Sequence, residues 1–232
     1  MKNNVIKKKL EYLFKILDSL GISDLTANHA SILDDKKNGF FTNQHKFLFS
    51  QINSKNLVHV KLNDNFSSKY KIVNKAGFYI HKYLHNSKAK PEAILHTHSV
   101  NAVAISCLKK GFDTKLNQSS MRFYNKIKYF NYGNMIIDDK EGKKLGKLVE
   151  RNTKLIILKN HGIIILGDTI EELFHLTFHF EKCADIQLKI MGEKSKNLVS
   201  NKTAVLTSKQ HLGFGPVGGM SWNAAVRQLK RK

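Results

Sequence analysis

The sequence is short of cysteine, proline and acidic side chains, and each shortage narrows what the chain can be. Only two cysteines, Cys107 and Cys183, occur among 232 residues, each alone in its segment. That excludes a disulfide scaffold and a cysteine-built zinc module, and makes a reducing compartment, the cytoplasm, the expected location. No apolar run approaches the roughly 18 residues of a membrane span; runs such as 155–158 and 163–166 last four residues. The opening stretch MKNNVIKKKLEYLFKIL is broken by lysine throughout and carries no signal-type apolar core. Acidic residues number 18 against 39 Lys and Arg, a net charge of +21 with a pI near 9.9. Such an excess is the electrostatic footprint of a nucleic-acid binder. Here, however, lysine is spread along the whole chain, denser only at 7–9 and in the tail from 227 to 232, beside much asparagine and only two prolines. Compositional drift in an AT-rich genome accounts for this as well as a binding surface does. The expectation is no specific nucleic-acid partner, and weak attraction to polyanions in low salt.

What is present is ordinary globular material, 41% hydrophobic and 25% charged. A chain of this length can bury roughly 70% of its extended surface without staples. Leu10, Leu13, Phe14, Leu17 and Leu20 recur at helical spacing over 4–20. Short strands follow at ASIL (30–33), GFFTN (39–43) and LVHVKL (57–62), with DDKKNG (34–39) as a turn and 63–70 as a polar loop. A helix over 76–86 leads to the strand AILHTHS (93–99), then a helix over about 100–110, a strand at 135–137 and a charged helix over 139–151. Two strands, 154–160 and 162–167, are joined tightly around His161-Gly162. Thr169 and Glu172 form a capping-box pattern opening a helix over 169–191, whose apolar residues cover more than one stripe. In a protein this small a neighbouring subunit can supply the second cover. From Gly192 the chain turns polar, then glycine-rich, and closes on a short helix. Strands and helices interleave, so the class is α/β or α+β. The expected organisation is one domain over 1–192 and a basic, partly flexible segment over 193–232 that packs on it or is disordered.

Chemistry is sparse. His96-Thr97-His98 sits on a strand, where residues i and i+2 share a face and two imidazoles can converge on one metal. With 11 histidines in the chain, chance supplies about half such a pair, so the motif is weak alone. His161 strengthens it, since Asn160-His161-Gly162 interrupts two apolar strands where an unpartnered imidazole is costly to bury. Three neutral histidines with an open position are the arrangement of a catalytic zinc. The pairs His81/His85 and His175/His179 have i, i+4 spacing but lack the glutamate of H-E-x-x-H, and read as packed or half-exposed side chains. The G-x-G-x-x-G at 213–218 follows no strand and contains Pro216, and reads as a connector.

The segments DLTANHAS (24–31), FFTNQHKFLFSQI (40–52), NKAGFYIH (74–81), EAILHTHSVNAVAISCLKKG (92–111) and LKNHGIIILGDTIEELFHLTFHFEKCADIQL (158–188) together resemble the class II aldolase/adducin family, nearest its adducin-like branch. The resemblance runs from about residue 5 to 190, and its HTH and NHG segments are the specific parts. It implies a three-layer α/β/α fold around a mostly antiparallel sheet, assembled as a homotetramer with sites at subunit interfaces. It also implies zinc, or another divalent cation, held by His96, His98 and His161. A small hydroxylated carbonyl compound or sugar derivative would then undergo aldolase/lyase or epimerase chemistry through a stabilised enediolate. The same resemblance exposes departures. The family's catalytic glutamate falls on Gly77, its phosphate-holding serines on Lys75 and Ala76, a threonine-glycine pair on His45 and Lys46, and the asparagine of its first loop on His29. Glycine moves no proton, which leaves His29 and His45 as candidate acid/base groups and His29, Lys46 and Lys75 as candidate substrate contacts. The alternative is a non-catalytic oligomerisation module of the adducin-head kind.

Overall fold

The computed structural model describes residues 2–131, 133–213 and 216–231. In chain order it contains α1 (Lys2–Ser19), β1 (His29–Leu33), β2 (Gly39–Thr42), β3 (Val58–Lys61), α2 (Lys75–His85), β4 (Ala93–Thr97) and α3 (Val100–Ser106). There follow β5 (Ile127–Phe130), α4 (Asp139–Leu148), β6 (Leu155–Leu158), β7 (Gly162–Gly167), α5 (Ile170–Lys189), α6 (Asn201–Gln210) and α7 (Gly219–Leu229). The strands form one sheet in the order β3-β2-β1-β4-β7-β6-β5, antiparallel except for the β5/β6 pair. The fold is a three-layer α/β/α sandwich.

Alternation along the strands assigns residues to the two faces. Ala30 and Ile32 of β1, Leu95 of β4 and Ile163 and Ile165 of β7 pack against α1, α3 and α5 in the larger core. Ile94, Ile164 and Leu166 turn the other way, onto Ile80 and Leu84 of α2 and Leu145 of α4. The helices dock through their apolar stripes. Leu10, Leu13, Phe14 and Leu17 of α1 are fully buried, and each such side chain is worth roughly 1.5–3 kcal/mol of transfer free energy. Thr169 caps α5 by accepting the Glu172 N–H at 3.1 Å.

Several expectations need correction. No strand forms at 135–137: Met135 and Ile137 are exposed loop residues, and the strand lies at β5 instead. β5 is an edge strand whose residues, IKYF, are only half covered, so its pattern lacked the apolar run of a central strand. The helices α3 and α4 stop at Ser106 and Leu148, short of the expected 110 and 151. The tail carries two helices. α7 lays Trp222 against Phe174 of α5, ring centroids 5.9 Å apart, so the second apolar side of α5 is covered by this chain's own terminus. The connector reading of 213–218 rests partly on Phe214 and Gly215, which lie outside the described residues.

Candidate metal centre

The register of the sheet builds the site. β4 pairs with β1 and β7, placing His96 opposite His29 on one side and Ile164 on the other. His98 follows directly on β4, and His161 sits in the turn between β6 and β7. That turn uses a left-handed residue, Asn160 (φ 58°), and then a glycine that cannot be replaced: a Cβ on Gly162 would stand 2.6 Å from the Thr97 carbonyl oxygen. The His161 N–H donates to Ser106 Oγ at 3.1 Å, fixing the turn to the end of α3.

One nitrogen from each of His96, His98 and His161 falls within 4.8 Å of the others, which makes this the one such cluster among the described residues. Two of the rings are oriented from behind, and the third ligand is fixed through its backbone. His96 Nδ1–H donates to the Ile163 carbonyl at 2.9 Å, which directs Nε2 forward. His98 Nδ1 lies 3.2 Å from an Asp24 carboxylate oxygen, the carboxylate–imidazole pairing found behind zinc ligands. The His98 backbone N–H donates to Asn28 Oδ1 at 3.0 Å. His98 Nε2 and His161 Nε2 face each other at 2.9 Å, so the lone pairs converge on one point. Burial pushes all three rings below the ordinary imidazole range, His161 to about 4, and Asp24 only partly offsets this at His98. They are neutral near pH 7, as ligands must be. The donor set therefore fits a divalent cation of the zinc type.

The histidines open on a cavity of about 380 Å³, lined among others by His29, Asn74, Ala76, Lys159 and Asn160. The His29 ring lies over Gly77: a Cβ there would meet its Cγ and Cδ2 at 3.0 Å, so a side chain at 77 and this ring compete for one space. His45, Lys46 and Lys75 are exposed and outside the lining; Lys75 extends over the Phe66 ring instead. Residue reasoning missed Asp24 and Asn28, although both lie in the DLTANHAS segment, and it missed Lys159. His81 and His85 do more than the packing their i, i+4 spacing predicts. Both are buried, but His81 Nε2 lies 2.8 Å from His29 Nδ1, and Ser31 Oγ lies 2.7 Å from His81 Nδ1 and 2.8 Å from His85 Nε2.

The sequence and the fold have counterparts. The family description Class II Aldolase and Adducin N-terminal domain matches residues 8–188. A Caulobacter vibrioides protein provisionally named as an aldolase class 2 protein is 26% identical over 228 residues, 96% of this chain and 88% of its own. Human gamma-adducin is 27% identical over 189 residues, 79% of this chain, which spans only 26% of adducin's length. The structure of an L-fuculose 1-phosphate aldolase from Glaciozyma antarctica superposes with a TM-score of 0.83 at 25% identity, covering 99% of this chain and 90% of that one.

Proposed function

We propose that this chain, which belongs to the class II aldolase and adducin family, is a metal-dependent lyase or epimerase acting on a small hydroxylated carbonyl compound or sugar derivative. The observation that carries the reading is the convergence of three neutral imidazoles, two of them held from behind, on one open cavity. A structural domain has no need of an open-sided triad. His96, His98 and His161 hold zinc or another divalent cation, which when bound supplies Lewis acidity to adjacent substrate oxygens as charge develops in the transition state. Asp24 and the Ile163 carbonyl keep two of the rings aimed. Lys159 on the lining supplies one positive charge for an anionic substituent, with Lys46 and Lys75 further candidates outside it. His29 stands over the glycine that replaces the family's glutamate and is the leading acid/base candidate; His45 is the lesser one. The working unit is a homotetramer in the cytoplasm, the domain spans 1–192 with the basic segment 193–232 packed on it, and neither a membrane nor a specific nucleic acid is a partner.

Elemental analysis of untagged protein purified without chelator tests the site. We expect about one divalent ion per chain, and none in His98→Ala with fold and assembly intact. Wild-type protein that takes up no added zinc, or a variant with full stoichiometry, would overturn the assignment. Glycine at 77 favours a second reading, a non-catalytic adducin-head-like module. Metal-free wild type that still assembles would establish it.

A further inference from the structure

Beneath the metal site runs a ladder of four side chains from two elements. Residues i and i+2 of a strand are about 6.6 Å apart, and residues i and i+4 of a helix rise about 6 Å. β1 offers His29 and Ser31 at the first spacing, and α2 offers His81 and His85 at the second. The two spacings match, so the residues interdigitate in the order His29, His81, Ser31, His85, with contacts of 2.8, 2.7 and 2.8 Å. The far end is closed by the Pro91 carbonyl, 2.9 Å from His85 Nδ1. His29, Ser31, His81 and His85 are all buried, and Phe40 walls the ladder, its ring centroid 5.9 Å from that of His81 and 5.2 Å from that of His85.

This closure gives the ladder one direction. A carbonyl only accepts, so His85 Nδ1 carries a hydrogen and, in the neutral ring, Nε2 is an acceptor. Ser31 has one hydroxyl hydrogen and must give it to His85, so it accepts from His81 Nδ1–H. His81 Nε2 is then an acceptor and takes the Nδ1–H of His29. Burial keeps His81 and His85 neutral, His85 pushed down to about 4. Each tautomer follows from the one below it.

We propose that Ser31, His81 and His85 are positioning residues that lock His29 as its Nδ1–H tautomer, so that Nε2 meets the metal cavity as a lone-pair acceptor only. His29 does not belong to the three-ligand cluster, yet its ring lines the same cavity. It is therefore the acceptor for a substrate hydroxyl beside the cation, its ring standing where a side chain at 77 would otherwise project. This rests on the metal-centred reading for its use, but the tautomer itself does not depend on metal. The same ladder explains why a serine, rather than an apolar residue, occupies a fully buried sheet position at 31.

Magic-angle-spinning NMR of the full chain carrying 15N-histidine reads each tautomer directly, with His29→Gln identifying the His29 signals. Near neutral pH we expect His29 protonated at Nδ1 and bare at Nε2, in metal-free protein as in protein given zinc. Ser31→Ala removes the acceptor for His81 and should leave His29 and His81 as mixtures; Ser31→Thr, which keeps the hydroxyl, should restore the single form. A hydrogen on His29 Nε2 in the wild type would overturn the proposal, and this result stands even if Ser31→Ala fails to fold. So would a folded Ser31→Ala protein with an unchanged His29 tautomer. Zinc content is read separately: a protein with the expected tautomer but no metal keeps the ladder and loses only the lyase reading.

Discussion

Two histidine pairs in this chain share the spacing i, i+4 on a helix, and they have opposite fates. His81 and His85 on α2 are fully committed, each nitrogen bonded in a directed ladder. His175 and His179 on α5 are half-buried; Arg122 Nε–H donates to His175 Nε2 at 3.1 Å, while His179 Nδ1 is buried with no hydrogen-bond partner among the described residues. The difference lies in the element opposite. α2 faces a strand with polar residues at i and i+2, whereas His175 and His179 help line an apolar pocket between α5, α1 and α7. Spacing on one helix places two imidazoles; a partner in phase makes them a unit.

The largest break in this comparison is expected from paired substitutions to leucine, which has nearly the volume of histidine. His81→Leu orphans groups on both His29 and Ser31 and should cost about 2–4 kcal/mol in urea unfolding. His179→Leu removes an atom that makes no hydrogen bond among the described residues and should fall within about 0.5 kcal/mol of wild type. Equal effects would erase the distinction. Acid separates the pairs next. Burial holds His85 at about 4, and burial with nearby Arg122 holds His175 at about 4, against an ordinary value of 6.5. Because the unfolded chain takes up these protons first, the stability involved is full above about pH 6.5 and is lost as pH falls toward 4. The urea midpoint should therefore drop between about pH 7.5 and 5, and His85→Gln should flatten that drop more than His175→Gln, whose site is partly screened by solvent.

A smaller effect sharpens the contrast by function. Added zinc should raise the unfolding temperature by mass action in wild type and in His175→Ala alike, and not in His98→Ala. Calorimetry with His175→Ala losing the increment would place the metal at the His175/His179 pair and overturn the triad assignment. The least effect is expected from charge alone: a labelled DNA duplex should shift with this protein at low salt and be released by about 150 mM salt. Retention above that would promote the basic surface to a binding face.

The fold was largely legible, because central strands such as 155–158 and 163–166 are apolar on both faces and the helix stripes are regular. β5 was not, since an edge strand with lysine in it looks like loop. The convergence of His96, His98 and His161 was legible only in part: residues i and i+2 of a strand share a face, and an imidazole between two apolar strands stands out, but only the β4/β7 pairing brings the third ring to the other two. Asp24, Asn28 and Ser31 were not, because their roles come from register: nothing in the sequence reveals that Ser31 lies between His81 and His85. His45, Lys46 and Lys75 were inferred from aligned positions, and position in an alignment does not carry the direction a side chain takes.

Gly162 flat against Thr97 has a kinetic consequence. His98 and His161 are 63 residues apart and meet only when β4 and β7 have zipped together. An unfolded chain offers the HTH pair but not the third ligand, so a cation tight enough to matter recognises the finished sheet and little before it. Its addition should then slow unfolding while leaving the refolding rate almost untouched, acting as a late latch on the structure rather than as a seed for it.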